Sequence, residues 1–217
     1  MINLSSLRKL SSLDRILMEA SRALHTVYGS PVVSRPYPAT SKNTGAFSKE
    51  DCSRSAAYMR VNHTGEICAQ ALYQSQAMTA KHSVNRARMQ HSADEELDHL
   101  AWCEQRIKEL GGHKSLLNPL WYAGSFTIGT VAGLIGDKWN LGFVAETEKQ
   151  VVEHLESHLA RLPETDLRSR EVIAQMKSDE AQHADQAMQA GAAPLPAPVK
   201  LLMKIGGRIM TSTAYRL

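Results

Sequence analysis

Two four-residue words in this chain could hold metal. Glu96-Leu97-Asp98-His99 and Glu180-Ala181-Gln182-His183 each set a carboxylate and an imidazole three residues apart. On a helix such residues share a face, with Cβ atoms about 5–6 Å apart, so both side chains can reach one ion. A single Glu-x-x-His arises by chance in helices rich in Glu and His, and its plain reading is a solvated face. The doubled motif says more, because each copy follows a segment offering another carboxylate. These are Glu66 in Asn62-His63-Thr64-Gly65-Glu66 and Glu148 in Glu146-Thr147-Glu148. Four carboxylates balance the charge of two divalent ions, so the filled site is near neutral and can sit in a dry interior. Without metal the same carboxylates would be costly to bury. Oxygen donors with two imidazoles suit iron or manganese, whereas tight zinc sites favour thiolate and imidazole. Ligand type alone does not separate iron from manganese.

The order Glu, Glu-x-x-His, Glu, Glu-x-x-His is the ligand pattern of ferritin-like carboxylate di-metal bundles. The predicted ligands are Glu66, Glu96, His99, Glu148, Glu180 and His183. Flanking acids fit a supporting role. Asp179 precedes Glu180 and Glu95 precedes Glu96, and either can accept the free ring N–H of a ligating histidine on another helix. Each also reads as a surface acid. His154, six residues after Glu148, reads equally as a supporting or proton-relay residue and as a half-exposed helix histidine. Tyr73, two turns after Glu66, either approaches the site or is a core tyrosine. His63, His82, His91, His113 and His158 have no partner pattern and read as structural or exposed.

These side chains need long helices, and the composition supports an all-α chain. Ala, Leu, Glu, Gln, Met and Arg are plentiful and β-branched runs are scarce. The 217 residues suffice for one domain with a sizeable core. Leucines from Leu4 to Leu24 recur at helical spacing, which predicts an amphipathic helix ending near Val27. A Pro/Ser/Thr-rich loop follows from Gly29 to Gly45. Ser48 with Asp51 marks a helix start, and that helix runs to about His82. The next runs from about Val84 to Leu110 and stops at Gly111-Gly112. Further helices are expected over about Leu141–Leu162, about Asp166–Ala190 and from Val199 towards Leu217. The organisation is an N-terminal amphipathic helix and loop over 1–47, then a four-helix bundle over 48–217 with added hydrophobic and amphipathic helices.

Composition excludes several functions. A formal charge of +3 without a dense Lys/Arg block gives nucleic-acid binding little support. Cys52, Cys68 and Cys103 are odd in number and form no CxxC, so they read as small core residues in a reducing compartment. Charged residues interrupt the first apolar stretch, so no signal peptide is expected and the bulk of the protein is placed on the cytoplasmic side.

Four segments resemble a known family. Arg60-Val61-Asn62-His63-Thr64-Gly65-Glu66, Glu96 to Cys103, Gly142-Phe143-Val144-Ala145 with Glu148, and Asp179 to His183 are similar to the ligand motifs of the bacterial 3-demethoxyubiquinol 3-hydroxylases of ubiquinone biosynthesis. The resemblance runs from about Leu13 to the C-terminus and is weakest over about Gly29–Phe47. It implies two iron ions, one served by Glu66 and His99 and the other by Glu148 and His183, with Glu96 and Glu180 bridging. It implies a monooxygenase that uses O2 to hydroxylate the ring of a polyprenyl methoxy-methyl-benzoquinol, bound peripherally at the inner face of the cell membrane. Electrons would come from NAD(P)H, a reductase or the quinol itself. Other ubiquinone-biosynthesis proteins and a second copy of the chain are the further partners considered. A ferritin-like or rubrerythrin-like iron or peroxide protein shares the ligand order. It would not need the uncharged stretch from Leu116 to Gly136, and rubrerythrins add a CxxC module absent here. A manganese catalase and a non-enzymatic helical interaction protein complete the alternatives.

Residues 116–136 carry no charge and are long enough to span a bilayer. Three readings compete: a transmembrane helix, a buried connector, and a hydrophobic rim that meets the membrane or a second copy. The rim is favoured, because a lone crossing would part the ligands before the stretch from those after it. Gly129 and Gly133 form a small-xxx-small pair for close helix contact. In the last segment, about 198–217, Lys200, Lys204 and Arg208 fall on one stripe, which suits a helix lying at a lipid surface, with packing against the bundle the ordinary alternative.

Overall fold

A computed structural model describes residues 11–42 and 48–217. The described residues form seven helices: α1 (Ser12–Tyr28), α2 (Lys49–Thr79), α3 (Ser83–Glu109), α4 (Asn118–Ile135), α5 (Asp137–Arg161), α6 (Leu167–Gln189) and α7 (Ala197–Ala214). Helices α2, α3, α5 and α6 make the bundle. Short connections fold α3 back on α2 and α6 back on α5. Helix α4 is the crossover that carries the chain along α2 between the two pairs.

Local chemistry sets the helix ends. The Ser48 hydroxyl accepts the Asp51 N–H at 3.0 Å, as the sequence predicts for the start of α2. Gly111 adopts φ +69° just past α3, and Gly112 N–H reaches back to the Ile107 carbonyl. Helix α5 begins a turn earlier than its apolar pattern indicates. Gly136, at φ +131°, ends α4, and Asp137 ties the new helix to the α2–α3 connection. Its carboxylate accepts the N–H groups of Lys81 and His82, each at 3.0 Å. In α1, Ser11 and Asp14 cap each other. The predicted stripe of Leu4, Leu7 and Leu10 lies outside the described residues.

Two apolar clusters fill the bundle ends. Met59, Trp102, Cys103, Ile107, Leu155, Val172, Ile173 and Met176 pack at one end. Tyr73, Ala77, Met89, Ala93, Leu141, Val144, Ala145 and Ala187 pack at the other. The six predicted ligands are buried in the layer between them. Of the three thiols, Cys103 alone is fully buried. Cys52 and Cys68 are half-buried, so the core reading fits Cys103 and only partly the other two.

The outer helices differ from their sequence reading in instructive ways. No helix among the described residues is long and apolar enough to cross a membrane. Helix α4 is also not a buried connector. Its glycine side lies so close to α2 that a Cβ on Gly129 would strike Ser75 Oγ, and one on Gly133 would strike Thr79 Oγ1. The opposite side exposes Leu120, Ile128, Val131, Leu134 and Ile135. In α7 two of the three basic residues of the stripe meet acids of the bundle. Lys200 Nζ lies 2.9 Å from Glu146 and Lys204 Nζ 3.7 Å from Glu153, both on α5. Those acids draw the lysines inward, and Leu201, Leu202, Ile205 and Ile209 face out.

Candidate metal centre

Each helix of the bundle contributes to one buried cluster. Helix α2 brings Glu66, α3 Glu96 and His99, α5 Glu148, and α6 Glu180 and His183. Donor atoms of Glu66, Glu96, His99 and Glu180 all lie within 4.8 Å of one another, and so do those of Glu148, Glu180 and His183. None of the six exposes more than 4% of its surface. All six predicted residues are therefore together.

The two motif glutamates each face both histidines. Glu96 sets Oε2 at 3.0 Å from His99 Nδ1 and Oε1 at 3.2 Å from His183 Nδ1. Glu180 sets Oε1 at 3.2 Å from His99 Nδ1 and Oε2 at 3.3 Å from His183 Nδ1. Glu66 lies on the His99 side, with Oε2 at 3.8 Å from His99 Nδ1. Glu148 shares the other cluster with His183.

The outward ring nitrogens are held by the flanking acids. His99 Nε2 lies 2.9 Å from Asp179 Oδ2, and His183 Nε2 lies 2.9 Å from Glu95 Oε2. With Nε2–H donating to a carboxylate, Nδ1 presents its lone pair to the centre, which is the arrangement a metal-binding histidine needs. The Tyr73 hydroxyl donates to Glu148 Oε1 at 2.6 Å, so Tyr73 reaches the cluster. His154 packs its ring against His158 at 3.9 Å, and its Nε2 has no hydrogen-bond partner among the described residues.

Electrostatics favour cations at the cluster. Burial pushes the Glu66 and Glu148 carboxyls well above the usual range, and the charges of Glu96 and Glu180 push the same way. Burial by itself would depress both imidazoles, yet the surrounding carboxylates raise both, His183 to about 12. Positive charge at the centre would relieve the repulsion among these carboxylates. Four carboxylates and two inward imidazole nitrogens fit a pair of divalent ions.

Sequence reasoning missed a strap over this centre. Ser34 and Arg35 lie in the loop after α1 and grip Asp98, the residue before His99. Asp98 accepts Ser34 N–H at 2.6 Å, Ser34 Oγ–H at 2.8 Å and Arg35 Nε–H at 2.9 Å. Arg35 Nη1 continues to Asp179 at 2.8 Å. The signal for Asp98 was its place inside the first motif. Ser34 and Arg35 gave none, because their loop has no periodicity.

A narrow crevice lined by Tyr73, Met89, Leu141, Val144 and Ala187 reaches His183. It is apolar apart from its mouth, where Arg88 and Gln186 stand, and Ser92.

Comparison with known proteins agrees with this geometry. Residues 53–214 match the family described as ubiquinone biosynthesis protein COQ7. The chain is 51% identical to a 3-demethoxyubiquinol 3-hydroxylase of Xanthomonas axonopodis pv. citri over 217 residues, covering 100% of both chains. It is 54% identical over 207 residues to the protein of that name from Variovorax paradoxus, covering 95% of this chain and 99% of the relative. With the Nitrosomonas eutropha protein of that name the identity is 53% over 204 residues, or 94% and 98% of the two chains.

Proposed function

Because the chain belongs to the ubiquinone biosynthesis protein COQ7 family, we propose that its buried carboxylate–histidine cluster is a di-iron centre. The reaction is the 3-hydroxylation of a demethoxyubiquinol in ubiquinone biosynthesis, a monooxygenase step, and the ferritin-like and rubrerythrin-like readings fall away. The observation that carries the di-iron reading is the sharing of Glu96 and Glu180 between both histidines. In this reading Glu66 and His99 would hold one ion and Glu148 and His183 the other, with Glu96 and Glu180 serving both.

When bound, the irons supply the activation of O2 that puts one oxygen atom on the ring and releases the other as water. The protein does the rest. Asp179 and Glu95 keep the imidazoles in the tautomer that faces inward. Tyr73 holds its proton against Glu148 Oε1 beside the crevice. Met89, Leu141, Val144 and Ala187 give the approach to His183 an apolar lining, and a ring entering there would have to part them. Electrons come from NAD(P)H or from the quinol. The polyprenyl tail stays in lipid, and the outward apolar faces of α1, α4 and α7 seat the protein peripherally on the cytoplasmic face of the membrane. A second copy or another ubiquinone-biosynthesis protein is the other candidate to cover part of those faces.

Deletion of the gene, followed by quinone analysis, tests the reaction. A precursor lacking one methoxy group should accumulate, and unchanged ubiquinone would overturn it. Elemental analysis of the purified protein tests the centre. Two irons per chain are expected, and a chain purified under iron-replete anaerobic conditions without transition metal would refute the di-iron reading.

A further inference from the structure

The two halves of the centre are built differently. On the His99 side the supporting acid is itself locked. Asp179 Oδ2 takes His99 Nε2 at 2.9 Å and Arg35 Nη1 at 2.8 Å, while Asp179 Oδ1 takes Gln175 Nε2 at 2.9 Å. Arg35 is fixed in turn through Nε to Asp98 at 2.9 Å, and Asp98 is fully buried. The guanidinium also lies 4.8 Å over the Trp102 ring, whose centroid is 5.3 Å from that of His99. The planar fork of arginine spans two carboxylates and an aromatic face, which no other side chain can do at once.

On the His183 side the support is looser. Glu95 takes His183 Nε2 at 2.9 Å, but its side chain is 30% exposed. Its other neighbour is His91, at 3.7 Å and 70% exposed. One oxygen of Glu148 is already engaged by Tyr73. The His99 group also gathers four mutually close donor residues against three in the other.

From this asymmetry, and resting on the di-iron reading above, we propose that Arg35 is a positioning residue. It acts through Asp179 on His99 and makes the His99 position the tighter of the two, filling first and emptying last. A ligand held before the ion arrives loses less freedom on binding, and partners of this kind change metal affinity by about 10–100-fold.

The test is an anaerobic titration of the metal-free full chain with Mn(II), following the free ion by electron paramagnetic resonance. The wild-type protein should bind two ions in two distinguishable steps. Arg35→Gln should weaken the tight step by about tenfold or more and leave the weak step within about twofold. Glu95→Gln should do the reverse. Asp98→Asn, which loosens Arg35 without touching Asp179, reports on the same link if Arg35→Gln does not fold; circular dichroism decides that point. Two equal steps in the wild type would overturn the proposal. So would an Arg35→Gln protein that is folded and unchanged in its tight step, or one weakened equally in both. A wild-type chain that binds no Mn(II) and no Fe(II) would instead remove the di-metal reading itself.

Discussion

The middle of the bundle and the helices around it distribute polarity in opposite senses. The face that α2 buries carries Asn62, His63, Thr64, Glu66, Gln70, Gln74 and Gln76. The faces that α1, α4 and α7 expose carry Leu13, Ile16, Leu17, Leu24, Leu120, Val131, Leu134, Leu201, Leu202 and Ile205. A globular protein ordinarily does the reverse. Charge and hydrogen bonding organise the centre of the bundle, with apolar packing at its two ends and in a third cluster of Val27, Ile67, Ala71, Leu100 and Tyr122 beneath α1 and α4. The exterior is suited to an apolar neighbour, in keeping with a substrate whose tail is a polyprenyl chain.

The largest effect should come from breaking the polar interior. Glu180→Ala or His99→Ala should abolish turnover of a soluble quinol while leaving helical content nearly unchanged by circular dichroism. Normal turnover by purified Glu180→Ala protein would contradict the shared role of that carboxylate. Charging the exterior should have a smaller and selective effect. Leu201→Glu with Ile205→Glu removes two apolar anchors worth about 1.5–3 kcal/mol each if fully buried in lipid. Vesicle co-sedimentation and activity on a long-tailed quinol should fall by about tenfold or more, with a short-tailed quinol unaffected. Equal losses on both substrates would mean that α7 serves the bundle and not the membrane.

The boundary between the two regions can be probed at Gly133. Any side chain there meets Thr79, so Gly133→Leu should wedge α4 from α2 and cost about 1–3 kcal/mol in a urea melt. An unchanged midpoint would show that the close approach is not needed. The smallest effect concerns His63, which burial holds neutral, its value lowered to about 3 from the ordinary 6.5. The unfolded chain binds a proton near pH 6.5 that the folded chain refuses until near pH 3. This contribution to stability is full above that window and is lost as the pH falls through it. His63→Leu should flatten the wild-type decline by about 1 kcal/mol between about pH 7 and 5.5. Parallel curves for the two proteins would count against a neutral buried ring.

Most of the centre was legible because its spacing is local. Glu96 with His99 and Glu180 with His183 are three apart on one helix face, and Asp179 and Glu95 stand beside ligands. The strap was not legible, because Ser34 and Arg35 meet partners far along the chain from a loop with no repeating pattern. The place of the α7 lysines was left open for a related reason. A basic stripe on an isolated helix looks like a lipid contact until its neighbour is known, and here Glu146 and Glu153 are that neighbour. The start of α5 was missed because Asp137 anchors to the turn after α2, not to its own helix. In α4 the two glycines were read correctly as a contact surface. What they contact, the hydroxyl-bearing side of α2, only the assembled fold reveals.

The strap also bears on the order in which the molecule assembles. Ser34 meets Asp98 across 64 residues of chain, and Arg35 meets Asp179 across 144. Closing such long loops costs entropy that only preassembled partners repay, so the segment should seat after α3 and α6 have docked. The His99 support would then be the last part of the bundle to lock, completing the tighter position only once the helices are docked. In pulse-labelling exchange during refolding, the Ser34 amide should gain protection after those of α3. Simultaneous protection would mean that the flank is closed from the start.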